Sequence, residues 1–503
     1  MKTDNEYQKI INSLKKQKKG ATVADISSAT ALPLSNVREL LPKAADEFSG
    51  HLKVTQSGEI LYTFPNGFSS RYHGFTANIK KISEKSKKII KTVLASLFKI
   101  WIMVMLIGYF VLFLALAVAS VVISVMGKSS DRNGRGGGFG GFSIFELLWR
   151  VWFINEITRP RYEYGRVIRK SKEKRPMHKA IFSFIFGEED PNRDWEGKES
   201  RAIIAHIQAN MGVISLGEYM AFTGLNSVDA EVSILAFCSK FSGSPEVTGE
   251  GTIVYRFDDL MLRSDSEKIR EHENQIKTFS ANSKNMNGRL MEFTPPVKQL
   301  KIFSSNSKKM NIWFIVINAV NLIFGSYFLY NSFAAGLLIT EVQYQTASYL
   351  YAFTHYLLQM FSADPVGIIR TALGLVPLVF SIFFWLIPLV RNVFEKKENN
   401  DIKFSNFKRL GFSKIWSFPL SIDANSFAFS NTECIPKDLD EASDRVIKEI
   451  GAISIPEVKI AGNGDTLYLF NDLDNEKRAL KKYRETIDPA RSQLGETVFD
   501  TEK

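Results

Sequence analysis

Cysteine is nearly absent: Cys238 and Cys434 are the two in 503 residues. So few, so far apart, exclude a disulfide scaffold and a cysteine-ligated metal cluster, and they suit a reducing compartment. The six histidines show no paired spacing of the kind a zinc site on a helix needs. A phosphate loop, a nucleophile elbow and a dinucleotide fingerprint are missing too. No catalytic constellation is legible, so the chain reads as a non-enzyme without a cofactor. Residues 1–21 are polar and lysine-rich. They lack an apolar core followed by a small-residue cleavage site, so no signal peptide is expected.

Cationic residues are missing from one long interval. No Lys or Arg occurs from Met310 to Ile369, whereas Glu341 and Asp364 do. Lys308 and Lys309 stand at one end, and Arg391, Lys396 and Lys397 beyond the other; Arg370 is a lone charge at the edge of the second apolar run. Two apolar runs, residues 312–333 and 371–390, bracket the interval. Each has about the 20 residues that a bilayer-crossing helix needs. Cationic loops resist translocation, so residues 310–392 read as a transmembrane hairpin with both ends cytoplasmic. Its outer connection, residues 334–365, is rich in aromatics (Tyr344, Tyr349, Tyr351, Phe353, Tyr356). It reads as an amphipathic helix on the membrane surface, with His355 an interfacial side chain. Asn318 and Asn321 share one face of a span; hydrogen bonding to a neighbouring helix is favoured over a polar substrate path, since no intramembrane acid or base accompanies them.

An earlier apolar run, residues 100–126, can also cross. Lys80, Lys81, Lys85, Lys87, Lys88 and Lys91 place its N-terminal side in the cytoplasm. Residues 127–141 form a glycine-rich link. Residues 142–157 are apolar but short, with Glu146 and Arg150 one turn apart. They read either as an interfacial helix or as a re-entrant span, and the basic run from Arg159 to Arg175 favours a return. A net charge of +11 fits a chain held against an anionic membrane face. Nucleic acid is the competing partner for a basic chain. The localisation expected is a multi-pass protein of a bacterial inner membrane with its soluble mass cytoplasmic.

The organisation shows in a repeat. Gly58, Tyr62 and Phe64 recur at the same spacing as Gly251, Tyr255 and Phe257, and again as Gly464, Tyr468 and Phe470. Pro245-Glu246-Val247 and Pro456-Glu457-Val458 precede the last two sets. A turn glycine followed by an alternating β-branched and aromatic string is the second half of a β-hairpin. Helical patterns lie upstream. Residues 22–29 are one, and Leu32-Pro33 opens the next with Val37, Leu40, Leu41 and Ala44 on one face. Residues 199–209, 215–222 and 227–240 give three more before the second hairpin. Before the third hairpin one helix, residues 440–450, is legible. Helix-turn-helix followed by a hairpin is a winged-helix arrangement. The expected fold is therefore a multi-domain α-helical membrane protein with small α+β winged-helix-like cytoplasmic domains. These occupy residues 1–75, 199–265 and, as a third partial copy, 393–503. Between them lie a transmembrane region at 76–158, linkers at 159–198 and 266–309, and the hairpin. Related modules share a compartment, which requires a return crossing between the first and second, through residues 142–157 or a bend in the first apolar run.

The string Phe182-Ser-Phe-Ile-Phe186-Gly187-Glu188-Glu189-Asp190-Pro191-Asn192, together with the second winged-helix-like copy through Phe257 and the Gly/Arg-rich link, resembles a family of uncharacterised membrane proteins from cyanobacteria and plant plastids. The likeness covers roughly residues 21–260 and fades after that. Plant members often carry the label "iron–sulphur cluster biosynthesis". That label implies a carrier with three cysteines, which this chain lacks; the resemblance implies an architecture and not cluster chemistry.

Two site readings remain. Glu188, Glu189, Asp190 and Asp194, with Asn192, could offer oxygen ligands to a divalent cation. They lack the regular spacing of a calcium loop, so capping of local backbone by Asp190 and Asn192 around Pro191 is favoured. DNA binding needs phosphate neutralisation. The second-copy recognition helix offers Asp229 and Glu231 against Lys240, and the first offers Arg38 and Lys43 against Glu39, Asp46 and Glu47. Protein contact, to partners or to other copies, is favoured and nucleic acid disfavoured. The function expected is a membrane scaffold or adaptor; a membrane-tethered nucleic-acid-binding regulator is the alternative, and a small transporter or channel subunit the next.

Overall fold

The structure, a computed structural model, describes residues 2–71, 90–128, 175–264, 293–337 and 349–501, excluding 18–19, 66, 70, 91, 428, 430–434, 437, 461–465 and 489–493. Outside the described residues lie the expected glycine-rich link, residues 142–157, the basic run up to Lys174, the lysines from Lys80 to Lys91, Cys434, Tyr344 and Gly464. The helices, in chain order, are α1 (Lys2–Leu14), α2 (Val23–Thr30), α3 (Leu34–Glu47), α4 (Thr92–Ile123), α5 (Met177–Phe186), α6 (Trp195–Ala209), α7 (Leu216–Thr223), α8 (Ser227–Phe241), α9 (Lys308–Leu337), α10 (Tyr349–Gln359), α11 (Pro365–Ser417), α12 (Leu439–Gly451) and α13 (Asn471–Thr486). The strands are β1 (His51–Thr55), β2 (Ile60–Thr63), β3 (Val213–Ser215), β4 (Ser244–Val247), β5 (Ile253–Arg256), β6 (Glu457–Ile460), β7 (Thr466–Leu469) and β8 (Thr497–Asp500). Among the described residues the chain is mostly helical with three small sheets, ordered β2-β1-β8, β3-β5-β4 and β6-β7.

Residues divide into two compact units. One comprises 1–82, 190–301 and 396–503; the other comprises 83–189 and 302–395. The first unit holds all three segments expected as separate domains, and they share one core. Ile10, Leu41, Ile207, Phe241, Phe407 and Phe470 belong to a single buried cluster. A segment of about 65 residues buries too little surface to be robust alone; shared packing supplies the rest. The C-terminal strand β8 adds to the first segment's hairpin, with Val54 opposite Phe499.

Two expected linkers are built structure. Residues 159–198 contain α5 and the start of α6, because ten mostly apolar residues after Pro176 form a buried helix. Within the described part of 266–309, residues 298–301 are held between asparagine side chains. Asn406 donates from Nδ2 to Lys298 O, and its Oδ1 accepts from Lys298 N, both at 2.8 Å. Asn192 grips Gln299 in the same two-point way at 2.7 and 2.9 Å, and Asn399 grips Lys301 at 2.8 and 2.9 Å. Each side-chain amide stands in for a strand edge, satisfying backbone that a loop would leave to water.

Among the described residues α4, α9 and α11 are the helices long and apolar enough to cross a membrane. α11 does not stop near residue 392; it continues to Ser417, burying Phe407, Phe412 and Trp416. Strong helix formers after Pro388 carry it through the expected domain boundary. Two π-helical turns interrupt the long helices, Val104–Gly108 and Ile369–Leu375. Their displaced carbonyls find donors on other helices. Asn321 Nδ2 donates to Leu106 O at 2.8 Å, and Tyr109 Oη to Ala372 O at 2.8 Å. Asn318 Nδ2 donates to Ser381 O at 3.0 Å. Both asparagines thus tie helices together, as the packing reading has it. α9 and α11 approach closely at Gly374, where a Cβ would lie 2.9 Å from Leu329 Cα. The aromatic connection is not simply laid on a surface: α10 buries Tyr351 and Thr354 with Phe113 and Phe328, and leaves Tyr356 outward.

Candidate interaction surface

The tyrosine of each Gly-Tyr-Phe string makes one kind of pairing. Tyr62 exchanges both backbone hydrogen bonds with Ala21, Tyr255 lies opposite Ile214 in the β3–β5 ladder, and Tyr468 exchanges both bonds with Ile422. The residue after each partner starts the next turn of helix. Thr22 accepts from Asp25 N, in a capping box with the Asp25 carboxylate, and Ser215 accepts from Glu218 N. Asp423 O accepts from Ser426 N, and a 3-10 turn, Ala424–Phe427, stands where the other segments have α2 and α7. Caps of this type satisfy helix N-terminal donors. The shortened turn is why no helix-turn-helix was legible in the third segment. Gly58 and Gly251 adopt positive φ, +82° and +83°, at hairpin turns where their missing Cβ permits it. Phe257 N donates to Gly212 O and Phe470 N to Pro419 O, both at 2.8 Å.

Two buried acids join neighbouring segments. Asp25, after Thr22, takes Arg263 Nε at 3.3 Å and Ser264 N at 3.0 Å from the chain just beyond the second hairpin. Glu218, after Ser215, takes Arg484 Nη2 at 2.5 Å from α13, beyond the third hairpin, and His206 Nε2 at 2.8 Å. Burial pushes the Glu218 carboxyl up, but Arg484 and His206 outweigh it and hold it down at about 2. Burial lifts the neighbouring Glu476 carboxyl, which accepts from Gly217 N at 2.9 Å. His206 lies between Phe222 and Phe293, with ring centroids at 4.6 and 4.8 Å. These charges are engaged with protein on every side that the contacts describe, so the cluster ties segments together. No local pattern in the sequence marks it, since Glu218 and Arg484 are 266 residues apart.

The outward face of α8 is different. Asn226 caps it, and Ala230, Ile234, Phe237, Cys238 and Phe241 fill the core. Opposite them Val228, Val232 and Leu235 are exposed to 69%, 66% and 55%. Positions i, i+4 and i+7 form one stripe. Asp229 and Glu231 flank it, and Lys240 pairs with Glu196 at 3.3 Å. On the adjoining hairpin Val247 and Ile253 are opposite each other and exposed. A helix meeting phosphate needs free cations; this one presents branched aliphatics and acids. Arg38 and Lys43 of α3 are also engaged, with Asp259 at 3.4 Å and Glu39 at 2.7 Å.

The acidic candidates for a cation site have other partners. Glu188 accepts from Arg175 at 2.6 Å, from Ser183 Oγ at 2.6 Å and from Ser305 N at 3.1 Å; the Arg175 guanidinium holds its carboxyl down at about 2. Asp190 accepts from Asn192 N at 2.9 Å, the cap expected around Pro191, and Asp194 pairs with Arg201 at 2.9 Å. Glu189 is exposed. Among the described residues no group of three or more His, Cys, Asp or Glu side chains could hold a metal.

An uncharacterized chloroplastic protein of Arabidopsis thaliana is similar to this chain: 25% identical over 414 residues, which is 79% of this chain and 70% of the plant protein. The likeness reaches well past residues 21–260, the stretch on which the resemblance first rests. No family model matches, and no solved structure matches.

Proposed function

We propose that the chain is a membrane-anchored scaffold or adaptor. α4, α9 and α11 cross a bacterial inner membrane, and the three-segment unit faces the cytoplasm and binds protein through the exposed face of α8. The three segments are read as tandem winged-helix-like repeats. A helix, a strand or bridge, a short helical turn, a helix and a hairpin recur in that order in the second and third, and the first follows the same plan from Ala21 onward. In stacked repeats each unit buries its face on the next. Here Gln208 of α6 donates to Ser28 beside α2's end, and Arg409 of α11 to Phe222 O of α7, both at 2.8 Å. The single observation that carries the reading is the Val228, Val232 and Leu235 stripe on the helix that a nucleic-acid-binding winged helix would turn toward phosphate. Exposed aliphatics rimmed by polar groups mark protein contact.

The test uses the full-length protein in native membranes, with a photocrosslinking residue in place of Val232. Discrete protein adducts are expected. Val228→Asp with Leu235→Asp should cut them at least about tenfold, as loss of a hot-spot cluster does, with the thermal midpoint unchanged because these side chains carry no core packing. Background adducts alone, or adducts indifferent to the double substitution, would sink the reading.

Orientation is checked separately. In a background without Cys238 and Cys434, Phe361→Cys, exposed to 80% beyond α10, should react with an impermeant thiol reagent in intact cells. Asp444→Cys on α12 should react only after lysis. The reverse pattern inverts the topology.

A further inference from the structure

α4, α5 and α11 enclose a groove of about 450 Å³. Its floor is buried Ile102, Ile185 and Phe384, and its rim is Trp101, Val379 and Phe383, each about half exposed. Every lining side chain is aliphatic, aromatic or methionine. Water would leave such a trough poorly wetted and under pressure to collapse, because interiors pack to crystal-like density. Hydrocarbon fills it without cost. α4 and α11 are two of the three bilayer-length helices, so the rim opens toward lipid if they cross.

One end carries the features of a membrane interface. Phe98 lies on the lining, its ring 6.0 Å from that of Trp101 and 6.2 Å from that of Phe186. Lys99 follows, with Nζ 4.5 Å over the Phe182 ring. Aromatic rings beside a lysine are characteristic of the headgroup level. Six lysines, Lys80 to Lys91, precede this turn in the sequence. A lysine at the headgroup level, as Lys99 is on this reading, favours an anionic headgroup.

We propose that the groove holds one acyl chain of an anionic phospholipid, with its headgroup phosphate beside Lys99. The proposal rests on the reading that α4, α9 and α11 cross the bilayer. The full-length protein is reconstituted in vesicles of equal phosphatidylglycerol and phosphatidylcholine, with p-benzoylphenylalanine in place of Val379, irradiated, and weighed intact. The expected adduct has the mass of one phospholipid, with phosphatidylglycerol favoured by about fivefold, the factor one surface lysine supplies. Lys99→Gln should bring the two lipids toward their bulk ratio. The same photocrosslinker in place of Val121, exposed on α4 away from the groove, should report the bulk ratio throughout. Should the Val379 variant fold poorly, Phe383 is a second rim position for the label. A peptide adduct, from this chain or a second copy, overturns the proposal, as does a lipid adduct at the bulk ratio in the unsubstituted Lys99 background. Protein that does not float with the vesicles overturns the membrane reading instead, so the two failures are distinguishable.

Discussion

Arg484→Met is expected to destabilise the protein by about 3–5 kcal/mol, the usual consequence of leaving a buried charge without its partner. Glu218 is 3% exposed and sits at the junction of α7 with α13. Removing the guanidinium leaves its carboxylate facing His206 and the α7 N-terminus only. Arg484 also donates to Val213 O at 2.7 Å, so the β3 end loses a partner as well. Urea unfolding of the solubilised full-length chain, followed by tryptophan fluorescence, measures the loss. Adding Glu218→Gln to Arg484→Met should recover part of it, since a neutral amide tolerates burial better than an unpaired carboxylate. A single substitution costing under about 1 kcal/mol would place the pair among the weak surface bridges. The pH dependence has a definite sign. Glu218 is held at about 2 in the folded protein, against about 4.3 in an unfolded chain. The unfolded state therefore binds the proton first. The stabilisation is fully present above about pH 4.5 and drains away as pH falls toward 2. In wild type this acid-side loss should exceed that in Glu218→Gln, which has no carboxyl there to titrate.

Phe257→Ala and Phe470→Ala should each cost about 3–5 kcal/mol, the range for a fully buried phenylalanine. Both rings are wholly excluded from solvent. The Phe257 ring packs edge-on to Phe237 at 5.7 Å and fills the space beside Gly243, where a Cβ would meet it at 2.3 Å. Truncation leaves a cavity that this backbone, held by the Phe257 N to Gly212 O bond, cannot close. Phe64 occupies the same place in the first string but is only half-buried, stacked on Phe68 at 4.8 Å. Phe64→Ala should cost clearly less than the other two in the same unfolding assay. Equal losses at all three positions would mean that the strings share a spacing without sharing the graded burial described here.

The elements were legible wherever the signal was local. The glycines at 58 and 251 announce their turns, since backbone chemistry acts over a few residues. The 3.6-residue apolar period of Val37, Leu40, Leu41 and Ala44 likewise reports a helix face directly. α5 escaped because ten residues between a basic run and an acidic turn look like a linker by composition. The third segment escaped because its second helix has shrunk to one 3-10 turn, which leaves no period to read. The stripe on α8 was half legible: its acids argued against DNA, but exposed and buried aliphatics look alike in a sequence.

The sequence by itself determined the three long apolar runs, the interval between two of them that lacks Lys and Arg from Met310 to Ile369, the hairpin strings and most helix starts. All of these depend on composition and on contacts within a few residues. Only the tertiary structure decided that the three repeat-bearing segments form one unit with one core, that asparagines 192, 399 and 406 clamp residues 298–301, and that Glu218 meets Arg484. It also decided which valines of α8 face outward. The physical reason is the same in each case. Burial and ion pairing are properties of positions in space, and residues separated by hundreds of positions leave no periodicity in the chain that joins them.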